Sequence, residues 1–109
     1  MYKQGKRDAA SMELRTQAGL FIKSLRTNQS LTQREVAVAL KLNYYTMISQ
    51  IENGAARIPP DLYVAYAKVL KVDTALFVRK LLQYYDPHTY KALYGSKRLT
   101  LADFLVEEP

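Results

Sequence analysis

The sequence predicts an all-α protein. Apolar residues recur at spacings of three and four along most of the chain, the rhythm of one face of a helix. Ser, Thr or Asp stands before several of these runs as a cap, and Gly or Pro closes others. No run reads as a convincing strand, and there is neither an internal repeat nor a low-complexity tract. At 109 residues the chain can bury one core and is too short for two, so a single domain is expected. Its 49% apolar and 24% charged residues are the balance of a chain that folds by itself.

The first helix is expected from Ser11 to about Asn28, where Ala18, Ile22 and Leu25 fall at i, i+4 and i+7 and Ser11 can cap the start. Thr32 caps a second helix that runs to about Leu40, with Val36, Ala37 and Leu40 facing inward. A third, from Tyr44 to Asn53, has Met47, Ile48 and Ile51 on one side and Tyr44, Tyr45, Thr46, Ser49 and Gln50 over the rest, and Gly54 closes it as a C′ residue. The prolines of "AARIPP" exclude a helix there, and a fourth begins at Pro60 or Asp61 with the stripe Leu62, Tyr66, Val69 and Leu70. Asp73 or Thr74 caps a fifth, about Thr74 to Tyr85, which is apolar in two rows: Phe77, Leu81 and Tyr84, and Val78, Leu82 and Tyr85. "DP" at Asp86 and Pro87 stops it. A short helix through Leu93 follows, Gly95 ends that, and Thr100 with Asp103 three residues on reads as a capping-box-like start to a last turn or two. The organisation is a basic N-terminal arm over 1–10, a main domain over 11–85 and a helical C-terminal extension over 86–109 that belongs to the same domain.

Composition narrows the function. No apolar run approaches the ~20 residues of a membrane helix, and "MYKQGKR" lacks the apolar core of a secretory signal, so a cytoplasmic protein is expected. Without cysteine neither a disulfide framework nor a thiolate metal site can form. His88 stands alone after "DP" and reads as a surface residue of a helix's first turn. No carboxylate pair, metal cluster or phosphate-cradling glycine loop appears, so neither an enzyme nor a cofactor is expected. The net charge of +6 is uneven: residues 1–60 hold nine basic and four acidic side chains, and 61–109 hold seven and six. Such a surplus can be a solubility device or a footprint for nucleic acid, and its placement beside "LTQREVAVALKLNYYTMISQIENG" favours the second.

From Leu25 to about Asp73 the chain resembles the phage-repressor helix-turn-helix family of the Cro and cI type. The matching features are "LR" at Leu25 and Arg26, "LTQ" at Leu31 to Gln33, Ala37 and Leu40, "ISQIENG" at Ile48 to Gly54, and the proline loop before the fourth helix. The resemblance implies a five-helix domain, here with the short helical extension, bound to double-stranded DNA with the third helix in the major groove. It gives Gln33 the role of hydrogen-bonding a phosphate and steadying the neighbouring helix, which is compatible with capping helix two. It places Gln50 at a base edge, where its amide can pair with adenine N6 and N7, and lets Ser49 and Thr46 contact bases or phosphate. Asn53 and Arg57 lie where the chain leaves the groove, at backbone contacts. Tyr44 and Tyr45 are further DNA contacts, with packing of one of them into the core as the alternative.

The chain also departs from the family. The stretch from Leu40 to Ile48 is one residue longer than usual, which leaves the register of Tyr44, Tyr45 and Thr46 in the groove open. Three positions where the family tends to have glycine hold Ser30, Lys41 and Lys71, and a missing glycine at a left-handed position costs roughly 1 kcal/mol. Lys41 is either kept near DNA for its charge or simply solvated. Leu20, Phe21 and the second row of helix five are apolar surplus that needs a cover.

The expected function is a sequence-specific DNA-binding transcriptional regulator, a repressor acting on a palindromic operator as a homodimer through Val78, Leu82, Tyr85 and Phe104. The alternative cover is the extension itself, folded back over Leu20 and Phe21. A second reading is an antitoxin that regulates its own operon and masks a toxin protein. A third, an interaction module that no longer binds DNA, is disfavoured by the basic half and by Gln33, Ser49 and Gln50.

Overall fold

The structure is a computed structural model and describes residues 9–104, so Met1 to Asp8 of the arm and Leu105 to Pro109 lie outside the described residues. Six α-helices follow one another: α1 (Ala9–Asn28), α2 (Gln33–Ala39), α3 (Thr46–Glu52), α4 (Tyr63–Leu70), α5 (Thr74–Tyr85) and α6 (Pro87–Tyr94). Two short 3₁₀ turns, Pro60–Leu62 and Leu101–Phe104, complete the described residues, which contain no strand. Among them no helix is long and apolar enough to cross a membrane. α1 is already helical at Ala9, inside the stretch read as an arm. α1 packs on α3 and α5, α5 on α4 and α6, and α2 on α3. Their inner faces meet in one core of Ile22, Leu25, Val36, Ile48, Ile51, Tyr66, Leu70, Phe77 and Leu81.

The helices end by a repeated device. After α1, α2, α3 and α4 the chain passes through a left-handed residue: Ser30 (φ 58°), Lys41 (φ 62°), Gly54 (φ 85°) and Lys71 (φ 60°). The next amide then reaches back five residues, Leu31 to Arg26 (3.2 Å), Leu42 to Ala37 (2.9 Å), Ala55 to Gln50 (2.9 Å) and Val72 to Ala67 (3.1 Å). These are Schellman motifs, and Leu31, Leu42 and Val72 supply the apolar contact that accompanies such ends. Only one of the four has the glycine that would adopt this conformation freely. Packing at the other three outweighs a strain of about 1 kcal/mol each.

A second glycine decides how α1 meets α3. A Cβ on Gly19 would lie 2.2 Å from the carbonyl oxygen of Glu52, so the two backbones touch with no side chain between them. This crossing fixes the end of α3 against the domain.

The extension folds back. Asp86 caps α6 by accepting from the Thr89 amide (3.2 Å) and hydroxyl (2.6 Å). Beyond Gly95 the chain returns along α5, where buried Lys80 donates to the Leu99 carbonyl (2.5 Å) and the Leu99 amide donates to the buried Gln83 Oε1 (3.1 Å). The Tyr90 hydroxyl donates to the Lys97 carbonyl. Burial lowers the pKa of Lys80, whose ammonium also faces the Tyr84 ring at 4.8 Å. Phe104 meets Phe21 edge-on at 5.1 Å within the same chain. The surplus apolar residue Phe21 is thereby covered, while Leu20 stays 57% exposed.

Candidate nucleic-acid interface

α2 and α3 are both seven residues long, too short to persist without tertiary support. α2 is secured at its start by a capping box: the Glu35 amide donates to Thr32 Oγ1 (3.0 Å) and the Thr32 amide donates to Glu35 Oε1 (2.8 Å). α3 has no such cap. Its N-cap is Tyr45, whose side chain makes no capping bond, so α3 starts at Thr46 and not at Tyr44 as the sequence suggested. In the turn between the two helices, Lys41 and Leu42 complete the Schellman end of α2. Tyr44 and Tyr45 therefore precede the helix and do not line it.

Beneath the turn lies a buried polar junction. Arg26 on α1 donates through Nε and Nη2 to the two carboxylate oxygens of Glu52 at the end of α3 (2.6 and 2.9 Å). Its Nη1 donates to the Leu31 carbonyl (2.7 Å), and the Gln33 amide group donates to Glu52 Oε1 (3.0 Å). α1, α2 and α3 thus meet on one carboxylate, and Arg26 ties the loop before α2 to the same junction. The hydrogen bonds to Glu52 raise the Arg26 pKa against the opposing effect of burial, so the guanidinium stays charged. Gln33 is half-buried and tied to α3 through this bond.

Above the junction, α3 turns a polar stripe outward. At about 100° per residue, Thr46, Ser49, Gln50 and Asn53 fall within one narrow sector, opposite the fully buried Ile48 and Ile51. Thr46, Gln50 and Asn53 are exposed and Ser49 is half-buried. Asn53 Oδ1 accepts from the Ala55 amide (2.9 Å), so this side chain also shapes the exit turn. Tyr44 is 77% exposed ahead of the helix. Tyr45 lies under the guanidinium of Arg34, whose Cζ is 5.0 Å from the ring centre. At the other end of α3, exposed Arg57 sits over the Tyr85 ring at 4.8 Å, and the Tyr85 hydroxyl accepts from the Ile58 amide (3.3 Å).

The structure brings Thr46, Ser49, Gln50 and Asn53 together on one face, with Tyr44 before it and Arg57 after it. Sequence reasoning missed Arg34, the convergence on Glu52, and Gly19. Arg26 and Glu52 were visible as motif members, but opposite charges 26 residues apart give no sign that they pair. Arg34 carried a signal of a kind, a cation next to Gln33 in the first turn of α2.

This arrangement, a short helix held by its apolar side with its polar side open and cations at both ends, defines a helix-turn-helix domain of the kind DNA-binding transcriptional regulators use. The chain belongs to the helix-turn-helix family HTH_3, of the Cro/cI type, whose model matches residues 22–77, just over half of its length. The clp gene regulator ClgR from C. glutamicum shares the fold, with a TM-score of 0.53 and 23% identity over 64% of this chain and 90% of that one. A point mutant of the restriction-modification controller protein C.Esp1396I matches with a TM-score of 0.53 and 22% identity, over 76% of this chain and 99% of that one. At such identities the likeness is one of fold. No curated protein matches the sequence.

Proposed function

We propose that this chain is a sequence-specific DNA-binding transcriptional regulator, a repressor that binds a palindromic operator as a homodimer. The observation that carries the reading is the polar stripe of exposed Thr46, Gln50 and Asn53 and half-buried Ser49, on a helix whose opposite face, Ile48 and Ile51, is wholly buried. A helix this size fits the major groove, and Gln50 has the amide geometry to read adenine. One copy of α3 reaches only a handful of base pairs, too few to single out an operator among about a million or more genomic sites, and two copies related by a two-fold axis are the usual remedy. Val78 and Leu82, half-buried along α5, are the anchors proposed for the dimer. Tyr85 and Phe104 contribute less, because each has a partner within the chain.

Footprinting on the DNA upstream of the protein's own gene tests this. A symmetric footprint with half-sites about 34 to 36 Å apart, or a multiple of that, is expected. Gln50→Ala should cost about 1 to 3 kcal/mol on that site and relax preference at one base pair. An unchanged specificity profile reassigns Gln50 to packing. A monomer in sedimentation at micromolar concentration, with or without Leu82→Asp, combined with a single asymmetric footprint, rules the dimer out.

A further inference from the structure

The cleft between the loop after α1, the start of α2 and the N-cap of α3 has a volume of about 360 Å³ and is lined by Arg26, Ser30, Leu31, Gln33, Arg34 and Tyr45, among others. Two guanidinium groups face it, and they differ in their state. Arg26 is spent: Glu52 and the Leu31 carbonyl take its Nε, Nη1 and Nη2, and the carboxylate neutralises it. Arg34 is exposed and has no ion pair with a carboxylate among the described residues. What holds it is the face of Tyr45, at 5.0 Å. An arginine laid on an aromatic ring keeps its fork of N–H donors free at the edge while its swing is restricted. That suits a planar or tetrahedral oxyanion approaching from solvent, and the anion that meets this face of a helix-turn-helix is a backbone phosphodiester.

We infer that Arg34, seated on Tyr45, is a phosphate anchor for DNA at the leading end of α3, and that Tyr45 is its positioning residue and does not read bases. The proposal rests on the DNA-binding reading above and assigns a residue to it. Geometry supports the division of labour between the tyrosines. Tyr44 projects freely with 77% of its surface exposed, whereas Tyr45 is turned toward α2. As the N-cap, Tyr45 stands outside the first turn of α3, where it reaches back to Arg34. The trailing end of α3 carries a matching pair, Arg57 over Tyr85 at 4.8 Å. α3, which lies between the two pairs, spans about 10 Å along its axis.

Phosphate anchoring is independent of sequence, so the test uses a fluorescein-labelled duplex of arbitrary sequence, about 20 base pairs long, titrated by anisotropy from 0.05 to 0.2 M salt. Arg34→Ala should reduce the slope of log K against log salt by about 0.9, which is roughly a 15-fold loss at 0.05 M and about 5-fold at 0.15 M. Arg34→Lys should keep the slope. Tyr45→Ala should weaken binding in the wild-type background and have no further effect in Arg34→Ala, while Tyr45→Phe should bind like wild type. Circular dichroism of each variant confirms that α2 and α3 remain folded. An unchanged slope in Arg34→Ala overturns the anchor. An effect of Tyr45→Ala that persists without Arg34 overturns the positioning role and returns Tyr45 to direct contact. Failure of the wild-type protein to bind any duplex at 0.05 M salt overturns the DNA-binding reading itself, which distinguishes the two.

Discussion

Replacing Gly19 by Ala should destabilise the protein although it improves a helix. In isolation the change favours folding, since glycine inside a helix costs roughly 0.5 to 1 kcal/mol relative to alanine. In this fold the new methyl would stand 2.2 Å from the Glu52 oxygen, 2.6 Å from its carbonyl carbon and 2.9 Å from the Ile51 oxygen, against ordinary contact at 3.4 Å or more. All three atoms belong to backbone, so no rotamer change relieves the clash. α3 must move away from α1 by more than 1 Å. That movement strains the Ile48 and Ile51 packing and stretches the bonds from Arg26 to Glu52. Overpacking of a core with adaptable side chains costs about 1 to 3 kcal/mol, and rigid backbone places this site at or above the top of that range. After the helix gain is subtracted, a net loss of at least about 2 kcal/mol remains, or roughly 8 °C or more in Tm for a domain of this size. Urea and thermal unfolding followed by circular dichroism measure it directly. A Gly19→Ala protein as stable as wild type, or more stable by the helix increment, would refute the close crossing of α1 and α3.

Lys41→Gly and Lys71→Gly should each stabilise the fold by up to about 1 kcal/mol, reduced by the few tenths a lysine recovers at a helix C-terminus, because both residues sit in left-handed conformations at φ 62° and 60°. Equal or lower midpoints in urea unfolding would count against these Schellman ends. Glu52→Ala should cost about 3 to 5 kcal/mol, since Arg26 is left charged and buried with Leu31 as its one remaining partner, and the loss should show in both unfolding and α3-dependent binding. Stability within 1 kcal/mol of wild type in the same urea experiment would show that the junction does not hold α3. The Tyr66 hydroxyl is fully buried without a hydrogen-bond partner among the described residues, and burial raises its pKa well above the ordinary 10.0. The unfolded chain therefore ionises first as pH rises, so titration of this group leaves stability unchanged below pH 10 and lowers it progressively above. Tyr66→Phe should stabilise the protein by about 1 kcal/mol at neutral pH and make its stability fall less steeply above pH 10, with the raised Tyr84 and Tyr85 accounting for the decline that remains. Unfolding at pH 7 and at about pH 11 checks both parts.

Much of this protein was legible in one dimension. The 3.6-residue spacing of Ile22 and Leu25, the caps Thr32 and Asp73, and the stop at Asp86 and Pro87 are local effects, and the helices they mark are present. Ser30, Lys41 and Lys71 were legible as replaced glycines, and each does adopt a positive φ. The exposed stripe of Thr46, Ser49, Gln50 and Asn53 follows from periodicity alone once Ile48 and Ile51 are known to face inward. What local pattern could not supply is anything that depends on two distant segments meeting. The start of α3 moved from Tyr44 to Thr46 because the end of α2 drew Lys41 and Leu42 into its own hydrogen bonds. Arg26 and Glu52 became one junction, Gly19 became necessary, Arg34 found the ring of Tyr45, and Phe104 closed on Phe21, all through contacts between residues 11 to 83 positions apart. Helix formation is decided by neighbours along the chain, whereas a buried charge or a backbone crossing is decided by whatever the packed core brings alongside, and that information exists only once the chain has closed on itself.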